Sequence, residues 1–219
     1  IDGHEVMGRV KRERDRFVGF VLKGVEGIPA GDRIEGRARF VDRSTLEVDG
    51  HTRIEATAIV IATGSSPSVP AMLKAAGDRL VVNDDVFSWD DLPASVVVFG
   101  PGVIGLELGQ ALARLGVRVA VLGRGGRVGP LTDPVVRDAF LAAISTELYV
   151  DPDAHVERVT RVGDEVEVAY RALDGSPRVE RFSYLLAATG RRPNIDGLGL
   201  ESLGIALDAT GVPVHDTKT

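Results

Sequence analysis

The chain has 219 residues, of which 44% are hydrophobic and 26 are glycine, so it can form a substantial core. Lys and Arg number 26 against 32 Asp and Glu, and the resulting net charge of −6 argues against a nucleic acid or an anionic membrane as the main partner. The absence of cysteine excludes disulfides, thiolate metal sites and cysteine catalysis within these residues. A reducing compartment is compatible with this composition, and we expect a cytoplasmic protein.

Neither a membrane span nor a secretory signal is predicted. The longest nearly uncharged stretch, residues 94–106, is too short to cross a bilayer and contains Gly100-Pro101-Gly102. Charged residues already crowd the first turns, as at Asp2 and Glu5. The chain begins with Ile rather than Met and ends beside a strand-like segment, 212–214, so we expect an internal piece of a longer protein.

The first part of the chain predicts a helix followed by a β-meander. Residues 4–16 are charged and favour a helix, which leads into the apolar segment 17–22. Short β-type alternations run through residues 33–61, with Asp49-Gly50 as a turn, and end in an apolar strand at 58–62 that we expect to be buried. Residues 65–93 are rich in proline and predict one short helix, capped near Asn83 or Asp84.

The second part predicts a strand–helix–strand unit. The run SVVVFG is an apolar strand, VIGLELGQALARLG has helical periodicity, and VRVAVLG is a second apolar strand, all within residues 95–123. A further helix is predicted from Asp133 to Ser145. Another meander follows through residues 155–190, with Asp174-Gly175 as its clearest turn.

Two segments of the chain have a similar sequence pattern. AIVIATG at 58–64 and YLLAATG at 184–190 each follow a meander, end in Thr-Gly and precede a proline by the same spacing. Buried strands often end in these residues, but the matched context on both sides favours a repeated architecture.

The motif with the clearest chemistry is the GxGxxG at residues 100–105, between an apolar strand and a helix. Gly100 permits a tight turn, Gly102 lets the backbone approach a pyrophosphate, and Gly105 allows the helix to pack closely on the strand. The free N–H groups and the positive helix N-terminus then hold phosphates. A glycine turn without a ligand is the alternative, but the flanking elements favour dinucleotide binding.

The acid that binds the ribose in NAD-type folds is missing. That acid follows the GxGxxG motif by about 20 residues, at a position that falls near Gly123, and no Asp or Glu occurs from residue 108 to 132. Instead Arg124 and Arg127 lie in the loop GRGGR after the second strand. They predict recognition of a 2′-phosphate, and hence NADP, although a solvated basic loop would have the same sequence.

Other catalytic patterns are absent from the sequence. The four histidines are scattered without the spacing of metal ligands, so no metal site is expected. There is no GxSxG elbow and no P-loop lysine pattern.

Three segments resemble the pyridine nucleotide–disulfide oxidoreductases, flavoproteins that include dihydrolipoamide dehydrogenase and glutathione reductase. They are TAIVIATGSSPSVP (57–70), SVVVFGPGVIGLELGQALARLG (95–116) and YLLAATGRRPNIDGLGLESLGI (184–205). Their order and spacing agree with the family, and the wording of GVIGLELG and ATGRRPN is most similar to dihydrolipoamide dehydrogenase-like members.

The resemblance implies an α/β, Rossmann-like scaffold for two nucleotides, with antiparallel β-meanders. Residues 1–92 would be the later part of an FAD domain, residues 93–190 a complete NAD(P) domain, and residues 191–219 the return to the FAD domain. The first FAD-phosphate loop, the redox cysteines and the dimerisation domain would lie outside this chain. The intact protein would then be a homodimer.

The resemblance also assigns site residues. Thr63, Gly64 and Ser65 would lie beside FAD, and Glu107 would face the nicotinamide and the flavin, unless it is only a favourable acid near a helix N-terminus. The residues implied to bind the pyridine nucleotide are Gly100, Gly102, Val103, Ile104, Gly105, Val156 near the adenine, and Gly190 with Arg191 toward the nicotinamide. Val103 replaces an aromatic residue that several members carry, so it receives no gating role.

The implied activity is hydride exchange between NAD(P)(H) and FAD, followed by electron transfer with a disulfide on a small molecule or a protein. The chain alone is expected to be inactive, because it lacks the cysteines. Two alternatives remain at this point: another flavoenzyme on the same scaffold, of the NADH oxidase, ferredoxin reductase or transhydrogenase type, and a non-catalytic dinucleotide-binding module.

Overall fold

A computed structural model describes residues 1–209 and 211–216. The helices are α1 (Gly3–Glu26), α2 (Asn83–Val86), α3 (Val103–Arg114) and α4 (Pro134–Ile144). The strands are β1 (Ala38–Phe40), β2 (Thr45–Val48), β3 (Thr52–Glu55), β4 (Ser65–Pro67), β5 (Leu80–Val82), β6 (Ser95–Phe99), β7 (Arg118–Leu122), β8 (Tyr149–Asp151), β9 (His155–Val162), β10 (Glu165–Arg171), β11 (Pro177–Phe182), β12 (Tyr184–Ala187) and β13 (Arg191–Pro193). Short 3₁₀ helices cover Ala30–Asp32, Ala71–Arg79 and Leu200–Leu203.

The chain forms two compact units. The first contains residues 1–17 and 67–191, and the second contains residues 18–66 and 192–219, of which Thr210 and residues 217–219 lie outside the description. These boundaries differ from the predicted 92/93, because β5 pairs in parallel with β12 and so joins residues 67–92 to the strands that follow. Strands β4 and β13 form a separate two-stranded sheet.

The first unit is built on a five-stranded parallel sheet in the order β5-β12-β6-β7-β8. All five residues of β6 are buried, which explains its continuous apolar sequence. Val96 and Val98 pack toward Leu106 and Leu112 of α3, whereas Val97 and Phe99 face the opposite way. Adjacent residues of one strand therefore serve two separate cores.

The opposite face of the parallel sheet is covered by an antiparallel sheet in the order β11-β10-β9. Val166, Val168 and Tyr170 of β10 pack with Val97 and Leu185 in one buried cluster. The predicted second meander is therefore confirmed, and Asp174 and Gly175 form its turn between β10 and β11. The first unit has three layers, with α3 and α4 on one side of the parallel sheet and the meander on the other.

The predicted helices form, with shifted bounds. Helix α1 continues through the apolar segment that was expected only to follow it. Its first half contacts the residues after α2, where Arg14 Nη1 donates to the carbonyl oxygen of Phe87 at 3.0 Å. Asp133 caps α4 by accepting the N–H of Val135 at 2.8 Å. None of the described helices is both long and apolar enough to cross a membrane.

The second unit contains the meander β1-β2-β3 and a small core. Phe40 packs there with Leu200 and Leu203, and Arg43 Nε donates to the carbonyl oxygen of Leu203 at 2.9 Å. The three strands confirm the predicted first meander.

The predicted buried strand at residues 58–62 is wrong. These residues have no regular structure, and the side chain of Val60 is 87% exposed. A buried strand requires a neighbour on its backbone edge, and the described strands supply none beside this segment. Residues 212–214 likewise make only one isolated bridge, between Pro213 and Leu207.

The first turn of α3 packs so closely on the sheet that glycine is required. A Cβ built on Gly105 would lie 2.0 Å from the carbonyl oxygen of Gly100 and 3.2 Å from Cβ of Ala188. Gly100 itself has φ +107°, and a Cβ there would lie 2.3 Å from the carbonyl oxygen of Ala188. Both glycines therefore fix the distance between α3 and the ends of β6 and β12.

We expect Gly105→Ala to lower the free energy of unfolding by about 1–3 kcal/mol, because the new methyl collides with backbone rather than with a movable side chain. The matched control is Gly19→Ala in α1, where a Cβ meets nothing within 4 Å. That change should stabilise by up to about 1 kcal/mol, from helix propensity alone. Denaturant unfolding of the three proteins measures both effects, and a Gly105→Ala chain as stable as the unchanged one would contradict the packing argument.

Candidate functional site

The glycine turn opens onto unfilled space. Gly102 is the N-cap residue of α3, with φ −75° and ψ 177°, and no side chain caps the helix there. The first helical hydrogen bond joins the N–H of Leu106 to the carbonyl oxygen of Gly102 at 2.9 Å. A Cβ on Gly102 would meet nothing within 4 Å. The N–H groups of this first turn are therefore available to an anion, which the helix dipole also favours.

A cavity of about 1060 Å³ lies over this turn, within the first unit. Its walls come from the ends of β6, β7 and β12, from the start of the 3₁₀ helix at 71–79, and from the connection between β8 and β9. The predicted site residues that line it are Gly100, Gly102, Arg124, Arg127, Val156 and Gly190. The structure thus brings together six of the residues that the sequence proposed for one dinucleotide.

Arg124 and Arg127 line this cavity with exposed side chains. Neither guanidinium has an ion-pair or hydrogen-bond partner among the described residues, although many other arginines of the chain do. A guanidinium offers a planar pair of donors that matches phosphate oxygens. The cavity therefore holds two positive groups that the described part of the protein leaves uncompensated.

The absence of an acid at Gly123 has a packing cause. A Cβ at this residue would lie 2.5 Å from the carbonyl oxygen of Pro152 and 2.6 Å from Cγ of Pro101. The N–H of Gly123 also donates to the carbonyl oxygen of Asp151 at 2.7 Å, which holds the loop against the end of β8. No side chain of any kind fits at this position without a backbone shift.

Sequence reasoning missed an acid that does line the cavity. Asp153 lies in the connection between β8 and β9, and its Oδ1 accepts the N–H of Gly125 at 2.6 Å. It lies 28 residues after Gly125, which belongs to the arginine loop (residues 123–127). A ribose-binding acid is expected much earlier, about 20 residues after the GxGxxG motif. The parallel pairing of β7 with β8 is what brings it there.

A smaller cavity of about 220 Å³ lies on the other side of the glycine turn. Gly102, Ala188 and Gly190 line both cavities, so the two adjoin at the glycine turn and the end of β12. The predicted residues Val103, Ile104 and Arg191 line the smaller cavity with Asn83, whose Oδ1 accepts from Nη1 of Arg191 at 3.3 Å.

Three groups of predicted residues lie elsewhere. Gly105 is buried beneath the turn, where it shapes the cavity without lining it. Glu107 is exposed on α3 and lines neither cavity. Thr63, Gly64 and Ser65 belong to the second unit, where Asn194 Nδ2 donates to the carbonyl oxygen of Thr63 at 3.0 Å and the Asn194 N–H donates to that of Gly64 at 3.0 Å.

A buried carboxyl group ends β8, directly before the connection that lines the cavity. Asp151 is 2% exposed, and its Oδ1 accepts the N–H of Asp153 at 3.0 Å. Burial raises the pKa of Asp151 above its ordinary value, and the nearby charge of Asp153 adds to this, while the hydrogen bond from Asp153 opposes it. No group of three His, Asp or Glu side chains in the described ranges is arranged to hold a metal ion.

Comparison with known proteins gives one consistent result. The model of a family described as pyridine nucleotide-disulphide oxidoreductase matches residues 13–219. The chain is 35% identical over 175 residues to a mercuric reductase of Lysinibacillus sphaericus, covering 80% of this chain and 32% of that protein. It is 29% identical over 220 residues to dihydrolipoyl dehydrogenase 3 of Pseudomonas putida, covering 96% of this chain and 47% of that protein.

A solved structure has the same architecture. The HOCl-induced flavoprotein disulfide reductase RclA from Escherichia coli matches with a TM-score of 0.81 and 25% identity, covering 95% of this chain and 48% of that one. The chain thus spans about a third to a half of the length of these proteins. The predicted α/β Rossmann-like scaffold is confirmed.

We expect Asp151 to make the protein less stable as pH rises. The fold favours the neutral carboxyl, whereas the unfolded chain ionises near the ordinary value of 3.8. Above that pH the unfolded state loses its proton first, so stability falls until the folded carboxyl also ionises. Asp151→Asn keeps the acceptor for the N–H of Asp153 and removes the charge.

The measurement is the difference in unfolding free energy between Asp151→Asn and the unchanged chain, from about pH 3 to about pH 7. The difference should move in favour of the Asn variant as pH rises. A difference that is flat across this range, or that moves the other way, would contradict the raised pKa.

Proposed function

The chain belongs to the pyridine nucleotide-disulphide oxidoreductase family, and on this premise we propose that it binds NADP(H) for hydride exchange with FAD in a flavoprotein oxidoreductase of the dihydrolipoamide dehydrogenase type. The observation that carries the proposal is the larger cavity, where a glycine turn, an uncapped helix N-terminus and two unpaired guanidinium groups meet. Each of these features binds phosphate, and a pyridine dinucleotide phosphate contains three.

The two adjoining cavities suggest the orientation of the dinucleotide. Its pyrophosphate would lie on the N–H groups at the start of α3, over Gly102, since that glycine lines both cavities. The adenosine would then extend toward Val156 and the arginine loop. The nicotinamide would extend past Gly190 toward Arg191, in the smaller cavity.

The space around the glycines of this site supports the inference that the residues present fit a dinucleotide. Side chains on Gly100 and Gly123 would collide with backbone, but the methyl of an alanine at Gly102 would point only into open space. That space is where the pyrophosphate would lie. The packing of the described residues does not require glycine at residue 102, which supports a ligand at this position.

Preference for NADP over NAD follows from charge. A 2′-phosphate carries negative charge that Arg124 and Arg127 would neutralise, since both guanidinium groups line the cavity. Ordering two long side chains costs about 2–4 kcal/mol, which offsets part of the gain. Two charge-assisted contacts of about 1.5–3 kcal/mol each give about 3–6 kcal/mol, which exceeds that cost over most of the range.

The remaining assignments rest on the family. Thr63, Gly64 and Ser65 would lie beside FAD, and Glu107 would lie toward the flavin and nicotinamide rings in the intact protein. The bound cofactors supply hydride acceptance and donation, while this chain binds the dinucleotide, orients it and keeps water from the ring contact. Electron transfer to a small-molecule or protein disulfide, homodimer formation and a cytoplasmic location complete the proposal for the longer protein.

The glycine cradle is tested with Gly102→Ala. We expect a loss of dinucleotide affinity of about tenfold or more, because a methyl would occupy the position of the pyrophosphate. The fold should be little affected, since φ at Gly102 suits alanine and the space is open. Calorimetric titration with NADP measures the affinity, and circular dichroism checks the fold. Unchanged affinity would remove the glycine turn from the proposal.

The choice of cofactor is tested with Arg124→Ala and Arg127→Ala. Each change should weaken NADP binding by about tenfold at low salt while changing NAD binding by less than about twofold. The preference should also shrink as salt rises, because the contacts are partly solvated.

Arg53→Ala is the matched control, since it removes an exposed positive charge from β3, outside the unit that holds the cavity. It should leave both affinities unchanged. If NAD binds at least as tightly as NADP, and neither arginine variant alters the ratio, the loop is not a phosphate site.

A further inference from the structure

The arginine loop, residues 123–127, is held by three consecutive residues: Asp151 at the end of β8, and Pro152 and Asp153 in the connection to β9. The N–H of Gly123 donates to the carbonyl oxygen of Asp151 at 2.7 Å, and that of Gly126 donates to the carbonyl oxygen of Pro152 at 3.1 Å. Between them, the N–H of Gly125 donates to Oδ1 of Asp153 at 2.6 Å. Only this middle contact is made by a side chain.

The loop has little else to order it. Gly125 and Gly126 have φ of +77° and +70°, and a Cβ at either would meet nothing within 4 Å. Two adjacent glycines without packing contacts lose much conformational entropy when they are fixed. They separate Arg124 from Arg127, so the backbone conformation at Gly125 sets how the Cα–Cβ bonds of the two arginines are directed relative to each other.

The backbone of Asp153 is itself held by a hydrogen bond to Asp151. Its N–H donates to Oδ1 of Asp151 at 3.0 Å, and Asp151 is buried at the end of β8. Strand β8 pairs in parallel with β7, from which the arginine loop departs. Asp153 therefore links the loop to the edge of the sheet: its backbone is fixed by Asp151, and its carboxylate fixes Gly125.

The charge of Asp153 acts in the opposite direction to this hydrogen bond. Its carboxylate lines the same cavity as the two arginines and has no ion-pair partner in the described part of the chain. A negative group there repels a phosphate. Hence Asp153 would favour a phosphate ligand through the oxygen that accepts the N–H of Gly125, whereas its negative charge would disfavour that ligand.

We propose that Asp153 is a positioning residue for 2′-phosphate recognition, which acts by holding Gly125 so that Arg124 and Arg127 face the cavity. This proposal rests on the proposed function, because it requires that the cavity take the adenosine end of NADP. Asp153 would raise selectivity for a phosphorylated ribose without touching the phosphate.

Two variants separate the hydrogen bond from the charge. Asp153→Asn keeps an acceptor oxygen for the N–H of Gly125 and removes the negative charge. Asp153→Ala removes both. The probes are adenosine 2′,5′-bisphosphate and adenosine 5′-diphosphate. Both contain adenosine with a 5′-phosphate, but the second phosphate is attached to the 2′-oxygen in the first and to the 5′-phosphate in the other. Neither probe needs nicotinamide or flavin.

Asp153→Ala should weaken binding of the 2′,5′-bisphosphate by about tenfold and change binding of the 5′-diphosphate by less than about twofold. Asp153→Asn should bind the 2′,5′-bisphosphate at least as tightly as the unchanged chain. Amide hydrogen exchange at Gly125, measured without ligand, should quicken in Asp153→Ala and stay slow in Asp153→Asn. The control Asp138→Ala, on α4, removes the same charge elsewhere and should leave the ratio of the two affinities unchanged.

The outcomes distinguish the two proposals. An unchanged affinity ratio in Asp153→Ala, or an equal loss in the Asn and Ala variants, would overturn the positioning role of Asp153 while the proposed function stands. If the unchanged chain binds neither these probes nor NADP and NAD, the proposed function itself is overturned.

Discussion

The structure of the site depends on how closely the first turn of α3 approaches the carboxyl edge of the parallel sheet. Gly105 packs so closely against the carbonyl oxygen of Gly100 that no Cβ fits, and Gly100 packs in the same way against the carbonyl oxygen of Ala188. At the same level, backbone hydrogen bonds continue past the strand ends, from Ala188 to Phe99, from Gly100 to Leu122 and from Gly123 to Asp151, at 2.7–2.9 Å. Four strands are thus tied together at the edge over which the larger cavity opens. The helix N-terminus is aimed into that cavity by packing and not by any ligand.

Charge at this edge differs from the charge of the chain as a whole. The net charge of −6 is a property of the whole chain and carries no information about one cavity. There, two guanidinium groups lack partners among the described residues, while other arginines of the same unit pair with acids, as Arg114 does with Glu147 at 2.6 Å. Local electrostatics therefore favour an anionic ligand on a protein that is acidic overall.

The sequence predicted those elements whose signals are local. The unit β6-α3-β7, the helix that begins near Asp133 and the turn at Asp174 all follow from short patterns of apolar residues and glycine. The segments 58–64 and 184–190 show where this reasoning stops, because both are apolar runs that end in Ala-Thr-Gly and only the second forms a strand. Strand β12 is flanked by β5 and β6, whereas the first segment has no described neighbour. Strand formation there is decided by partners, which a local pattern does not contain.

Gly123 shows how a correct observation can have a different cause from the one first assigned to it. Its lack of a carboxylate was interpreted as a sign of NADP, but Pro101 and the carbonyl oxygen of Pro152 exclude any side chain at that position. The missing acid is therefore a consequence of packing, and it does not by itself favour either cofactor. What bears on the ribose end is the pair of segments that meet there, residues 124–127 with two cations and residues 151–153 with one carboxylate in the cavity. The case for a 2′-phosphate accordingly rests on how the second segment, through two carbonyl oxygens and the side chain of Asp153, orders the arginines of the first.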